Sequence, residues 1–310
     1  MKKMILLLNM GGPQNLDEVK VFLKNMFNDP YILGIKSNFI RKTLACLITN
    51  LRAKTAINNY KQIGSKSPIC DITKSLCDKM VEIDDSYIVD FAMNYTPPFA
   101  KDVLEKYSNL DEIIVLPLYP HHSVTTITSS LDEFYKAFNE LGLKSKVKVV
   151  EPFYNDDIYN NIIINDIKEH VKDKDISDMV MIFSAHSLPE KIIQKGDKYE
   201  QHIVKHFDLL KEKLLQNGMK FKDIKLAYQS KLGPVKWLEP SLNDVLSSLD
   251  SKQALVYPMS FCIDNSETVF ELCIEYKDIA KSLEFEYYDV VKCPNDSDDF
   301  AKFLFKLSDM

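Results

Sequence analysis

Met181-Ile182-Phe183-Ser184-Ala185-His186-Ser187-Leu188-Pro189 is an apolar run that stops at a histidine set among small residues and then meets proline. A short unbroken apolar run of this kind reads as a strand buried on both faces of a parallel sheet. Such strands end at the mouth of the sheet, where open α/β folds bind their ligands. His186 therefore stands where a titratable group meets a substrate, and imidazole moves protons near neutral pH. Read alone, the same residue is also a satisfied structural histidine.

Working outward, further apolar runs recur at 4–9, 87–93, 112–118, 147–150, 179–184, 224–229, 254–259 and 285–289. Longer amphipathic stretches separate most of them. Leu16, Val19, Phe22, Leu23 and Met26 have helical spacing, as do Ile203, His206, Phe207, Leu210 and Leu214. Strand alternating with helix predicts parallel sheets flanked by helices. The two halves echo each other. Asn9-Met10-Gly11-Gly12-Pro13 closes the first strand as Ala185-His186-Ser187-Leu188-Pro189 closes the fifth. Leu116-Pro117-Leu118-Tyr119-Pro120 is matched by Val256-Tyr257-Pro258-Met259-Ser260-Phe261. The expectation is two Rossmann-like α/β lobes, 1–150 and 151–310, each with a four-stranded parallel sheet, and a cleft between them at the strand ends. A closing helix at 298–307 is expected to pack back on the first lobe.

Composition sets the outer limits. The 310 residues are 45% apolar and 27% charged, as in a soluble globular protein. A net charge of −6 leaves no basic surplus for phosphates, so nucleic acid is not an expected partner. The six cysteines form no CxxC pair, which points to reduced thiols in the cytoplasm rather than a zinc or iron–sulfur site. Lys2-Lys3 before an apolar run imitates a signal peptide, but the run soon meets Asn9-Met10-Gly11-Gly12-Pro13 and lacks a small-residue cleavage site. No run approaches the ~18 apolar residues of a membrane span.

His186 is the first of a series of blocks. Ser184-Ala185-His186-Ser187-Leu188-Pro189, with Gly196-Asp197 and Tyr199, closely resembles the signature of ferrochelatases. So do Asn9-Met10-Gly11-Gly12-Pro13, Leu116-Pro117-Leu118-Tyr119-Pro120, Tyr228-Gln229-Ser230-Lys231-Leu232-Gly233-Pro234 with Trp237-Leu238, and Asp264-Asn265-Ser266-Glu267-Thr268 with Glu271 and Glu275. The blocks follow the family order over nearly the whole chain. The resemblance implies insertion of ferrous iron into a porphyrin, with iron as substrate. It places His186 at the ring centre, taking pyrrole protons or meeting the metal, with Glu267 as its carboxylate partner. Both residue types suit ferrous iron and proton transfer.

Glu267, Glu271 and Glu275 fall at i, i+4 and i+8, one face of a helix beginning after Asp264. Stacked like charges raise some carboxylate pKa values and favour proton or cation uptake. The resemblance makes them a proton exit or metal entry line, and His186, Glu267, Glu271 and Glu275 the metal-contacting groups. A solvated acidic face has the same spacing. Met10, Ser67, Tyr95, Tyr119 and Trp237 are the expected porphyrin contacts. Core filling is the alternative for Met10 and for the single Trp. Residues 31–54 carry Lys36, Arg41, Lys42, Arg52 and Lys54, no acid and many apolar side chains. By resemblance this segment is an active-site lip that can touch a membrane surface, whereas an ordinary surface helix reads the same way.

Departures from the family pattern are specific. Asn265 stands where many members carry His, and Asn94 where many carry Arg. Gly64-Ser65-Lys66-Ser67-Pro68 replaces a more Gly-rich turn. His121-His122 reads as a solvated loop that also has the chemistry to touch metal. His202 and His206 share a helix face at a metal-compatible spacing, without a third ligand in sight. The paired C-terminal cysteines that hold an iron–sulfur cluster in some members are missing, with only Cys293 in that region, so no cluster is expected. The leading expectation is a cytoplasmic protoporphyrin ferrochelatase, a monomer or weak dimer, with peripheral membrane contact as an option. Its rivals are a coproporphyrin ferrochelatase, a cobalt chelatase on the same fold, and a non-catalytic tetrapyrrole-binding protein.

Overall fold

Apolar runs become buried strands throughout the computed structural model, which describes residues 2–107, 109–231, 233 and 235–309. In chain order the elements are β1 (Lys3–Asn9), α1 (Glu18–Phe27), α2 (Pro30–Leu33), α3 (Asn38–Gln62), α4 (Ile69–Ile83), β2 (Tyr87–Met93), α5 (Ala100–Leu104) and β3 (Glu112–Pro117). A π-helical segment (Val124–Thr128), α6 (Ser129–Glu140) and β4 (Lys146–Val149) follow. Then come α7 (Asp157–Val171), β5 (Val180–His186), α8 (Glu190–Gln194), α9 (Tyr199–Gln216), β6 (Asp223–Gln229), α10 (Leu242–Ser248) and β7 (Gln253–Pro258). A second π-helical segment (Glu267–Glu275), α11 (Tyr276–Ser282), β8 (Tyr287–Val290) and α12 (Asp298–Asp309) complete the chain.

The chain divides into two units. The first holds residues up to Tyr119, Ser123–Pro152 and the chain from Asp296 onward; the second holds Pro120–His122 and Phe153–Asn295. Each is built on a four-stranded sheet, ordered β2-β1-β3-β4 in the first unit and β6-β5-β7-β8 in the second. All pairings are parallel. In both units the third strand is followed by a π-helical segment, an α-helix and then the fourth strand. The expected two four-stranded parallel sheets are thus present, and each expected strand is found within a residue or two of its sequence limits.

The central strands are buried on both faces. Met4, Ile5, Leu6 and Leu7 of β1 and Met181, Ile182 and Phe183 of β5 are 0% exposed, which is why these strands read as apolar runs rather than alternating ones. In the first unit Met4, Leu6 and Leu8 pack with Val103, Leu104 and Phe134. In the second, Val180, Ile182, Ala254 and Val256 pack with Leu242, Leu246 and Leu272. Side-chain caps fix helix starts. Asp156 accepts from the N–H groups of Ile158 and Tyr159 at α7, and Asp29 accepts from Tyr31 at α2. The amphipathic α12 packs on α4 in the first unit, with Lys79 pairing Asp298 at 2.8 Å.

Gly11 and Gly12 show why the first strand ends as it does. Gly11 has φ +84, and a Cβ there would stand 2.5 Å from Thr96 Oγ1. A Cβ on Gly12 would lie 2.6 Å from the Ser67 side chain. Only glycine admits both the left-handed turn and this approach of neighbouring chain.

Candidate active site

His186 ends β5, and its Nδ1 lies 2.7 Å from Glu267 Oε2. A carboxylate only accepts, so Nδ1 carries the proton and Nε2 keeps its lone pair in the neutral ring. The His186 and Glu267 side chains retain 33% and 24% of their exposure. The site is therefore walled in yet reachable. Burial pulls the imidazole pKa down, but the Glu267 charge and hydrogen bond outweigh it, and the net shift is upward. The pair leaves a proton-accepting nitrogen on one edge of the ring and sets a compensating anion against the other.

Glu267 begins the second π-helical segment, where Asn265 Oδ1 accepts from the Glu267 N–H at 2.8 Å. Asn265 is buried, and its own amide donates to the Ile263 carbonyl at 3.1 Å. Asn265 thus ties the start of this segment to the preceding backbone through its side-chain amide. Extra backbone in a π-helix closes i→i+5 rather than i→i+4 bonds and is commonly found at functional sites.

Glu271 follows on the same segment. It accepts from Ser230 Oγ and from Gln229 Nε2, the latter at 3.4 Å. Gln229 Oε1 in turn accepts from the buried Ser184 Oγ at 2.7 Å. Burial and the neighbouring Glu267 charge push the Glu271 carboxyl up to about 7, against the opposing pull of Ser230, His186 and Gln229. Glu275, a further four residues on, is exposed. The expected row of acids is thus a graded line, from the half-buried Glu267 through Glu271 to the surface. Ser230 and Gln229 were not singled out as acid-holding groups in the sequence. The signal that could have found them is their place in the Tyr228-Gln229-Ser230-Lys231 block; the structure holds Ser230 at φ +67 directly after β6.

The expected porphyrin contacts divide by unit. Met10 is partly buried against the α1–α3 cluster that contains Phe22, Phe27 and Tyr95. The Tyr95 N–H donates to the Met10 carbonyl at 2.9 Å. The Tyr95 hydroxyl is committed elsewhere, donating to the buried Asp29 at 2.7 Å. Ser129 Oγ donates to the same carboxylate, and Asn94 donates to Ser129 at 2.8 Å. Ser67 is 2% exposed and sits against Gly12, while the Tyr119 hydroxyl lies 3.2 Å from Ser130 Oγ. In the second unit Trp237 is half-buried and pairs through its backbone with Pro189, just beyond His186. Leu232 and Pro234 of the block preceding it lie outside the described residues.

The remaining histidines correct an expectation. His121 is no solvated loop residue but is 2% exposed. Its Nε2 lies 2.8 Å from His206 Nδ1, and His206 Nε2 lies 2.9 Å from the Asn160 amide oxygen. The His122 N–H donates to His202 at 3.2 Å, and Tyr154 stacks on both His121 and His202. Burial drives His206 down to about 3 and His121 well below the ordinary imidazole range, so the pair is neutral. Among the described residues no three His, Cys, Asp or Glu side chains converge to hold a metal ion.

Similarity to known proteins runs the length of the chain. A family model described as Ferrochelatase matches residues 2–309. A protein of Campylobacter concisus (strain 13826) named Ferrochelatase is 62% identical over 309 residues, spanning 99% of this chain and 98% of the relative. A Ferrochelatase of Campylobacter jejuni (strain RM1221) is 52% identical over 311 residues, with 99% of each chain covered. Among solved structures, SirB from Bacillus subtilis with Fe3+ superposes with a TM-score of 0.56 at 10% identity, covering 99% of this chain and 96% of that one. CbiX, described as the terminal enzyme for biosynthesis of siroheme in denitrifying bacteria, gives 0.53 at 10% identity, covering 99% and 97%. At such identities the two structures speak to fold alone.

Proposed function

The chain belongs to the ferrochelatase family, and from that premise we propose that it inserts ferrous iron into protoporphyrin IX, giving protohaem and releasing both pyrrole N–H protons. Iron insertion into a porphyrin, a step of haem biosynthesis, is the reaction of the family. The observation that carries the residue assignment is the 2.7 Å contact between His186 Nδ1 and Glu267 at the end of β5. It leaves Nε2 as a base backed by a carboxylate. In the reaction Nε2 takes a pyrrole proton, and Glu267 stabilises the imidazolium that forms. Glu271, titrating near neutrality, receives the proton next, and the exposed Glu275 passes it to solvent. The same four side chains offer nitrogen and oxygen donors to ferrous iron in transit, as a line rather than a closed cage.

Protoporphyrin is favoured over coproporphyrin by Met10, whose apolar side chain lies against an apolar cluster. Coproporphyrin carries propionates where protoporphyrin carries vinyl groups, and extra carboxylates want polar or cationic partners. Met10, Ser67, Tyr95, Tyr119 and Trp237 shape the porphyrin wall in this reading. Ser67 and Tyr95 act there through packing, since their hydroxyl-bearing side chains are buried. The six free cysteines fit a reducing cytoplasm. On α3, Phe39 is 80% exposed and Leu51 73%, beside Arg41, Lys42, Arg52 and Lys54. These features support peripheral contact of 31–54 with an anionic membrane surface. No helix among the described residues is long and apolar enough to cross a membrane.

The test is an anaerobic assay of the purified protein with ferrous iron and protoporphyrin, repeated with coproporphyrin as competitor and with cobalt in place of iron. Formation of protohaem with protoporphyrin preferred is the expected result. Cobalt insertion without iron insertion would overturn it, as would porphyrin binding without any metal insertion. Flotation with anionic liposomes tests the lip, and wild-type protein that stays unbound removes the membrane contact.

A further inference from the structure

We propose that Tyr199 and Ser260 are positioning residues that replace a missing strand beside His186 and thereby hold its imidazole against Glu267. The inference rests on the reading of His186 as the base of iron insertion. On one side of β5 the parallel ladder continues through His186, with Ser187 N–H donating to the Gln229 carbonyl at 2.8 Å. On the other side the strand neighbour β7 stops. Its last pairing is Ser184 with Pro258, and Met259 N–H closes on the Ser184 carbonyl at 2.9 Å. The backbone groups of His186 face that same side, since residues two apart in a strand present their N–H and C=O alike. Among the described residues no strand is there to receive them.

Two side chains take its place. The His186 N–H donates to Ser260 Oγ at 2.9 Å, and the Tyr199 hydroxyl donates to the His186 carbonyl at 2.8 Å. Backbone groups shielded from water and left without such partners are costly, so the strand end would otherwise fray. Tyr199 is itself fixed. It opens α9, its N–H donates to Asp197 Oδ1 at 2.8 Å, and Gly196 makes the preceding turn at φ +95. That is what the Gly196-Asp197-x-Tyr199 spacing achieves in this chain. Behind the Tyr199 ring stands His121, edge-on at 6.0 Å, locked by His206 and Asn160. The buried histidine pair thus serves as an uncharged, hydrogen-bonded backstop for the residue that fixes the catalytic main chain.

The variants Tyr199→Phe and Ser260→Ala each remove one polar atom and keep most of the packing. In the anaerobic iron-insertion assay each should lower kcat about 10- to 100-fold with KM for porphyrin unchanged, because misplacing a reacting group costs rate rather than binding. Ser260→Thr, which restores an acceptor hydroxyl, should recover the rate. A readout independent of turnover is the downfield proton resonance of the His186 Nδ1–H···Glu267 bond, assigned by its loss in His186→Gln. It should move upfield in Tyr199→Phe and Ser260→Ala and return in Ser260→Thr. An unmoved resonance with wild-type kcat in both variants would falsify the proposal, as would equal losses in kcat and 1/KM with the resonance in place. If the wild-type protein inserts no iron, the chelatase reading fails, while the resonance still decides whether the two side chains position His186.

Discussion

At the scale of the residue, the two ring nitrogens of His186 have different employment, and a substitution can address one without the other. Glu267→Gln keeps shape and a hydrogen-bond acceptor but removes the anion that offsets the buried imidazolium. We expect kcat to fall by about 10²–10⁴ with porphyrin affinity retained, measured by steady-state iron insertion and by porphyrin fluorescence titration. Unchanged kcat would remove Glu267 from the chemistry. His186 and Glu267 were legible because each lies in a short motif whose spacing is rigid on one element. Ser230, Gln229 and Tyr199 were not read as holders of these groups, since their hydrogen-bond partners lie 13 to 42 positions away in the chain. His121 misled for a related reason. A His-His dipeptide after Pro looks like loop, and only the arrival of His206 and Tyr154 from other segments buries it.

Elements were easier to read than contacts. A strand covered on both faces leaves an apolar run in the sequence, so β1 and β5 announced themselves. The π-helical form of Glu267–Glu275 did not, because acids at i, i+4 and i+8 align on an α-helix and on a nearby, slightly wider coil alike. The β1 turn carries a prediction of its own. Gly11→Ala places a Cβ 2.5 Å from Thr96 Oγ1 in a left-handed backbone, and should cost at least about 2 kcal/mol. A lowered urea midpoint at unchanged m-value is the expected signature. The cap of α2 offers another. Asp29→Ala removes the acceptor of Tyr31 N–H, Tyr95 and Ser129 together, and should destabilise by about 2–4 kcal/mol, read by the same denaturation. A loss below half a kcal/mol would show that water readily replaces the carboxylate.

At the scale of the whole molecule, opposing titrations set how stability responds to pH. His206, held down at about 3, and His121, also held down, are neutral when folded, while an unfolded histidine protonates near 6.5. Below 6.5 the unfolded chain therefore binds more protons, and each histidine removes up to about 1.4 kcal/mol of stability per pH unit as pH falls. His202 shifts in the same direction. Glu271 acts oppositely: raised from 4.5 to about 7, it keeps its proton when folded and loses it when unfolded, so it favours lower pH over that window. His186, raised above 6.5, adds no slope below it. Three falling contributions against one rising leave a net loss of stability on acidification from pH 6.5 to 5, to be measured by denaturation at the two values. His206→Gln should flatten that loss, and equal stability of the wild type at both values would contradict the assignment of neutral buried histidines. The repeated order of strand, π-helical segment, helix and strand in the two units has a consequence for how this gene tolerates change. The copy at Val124–Thr128 carries no acid, whereas Glu267–Glu275 carries three. Saturation mutagenesis scored in parallel for cellular abundance and for haem-dependent growth should therefore separate the copies: variants in the first deplete both scores together, and variants at the acids of the second deplete growth while abundance persists.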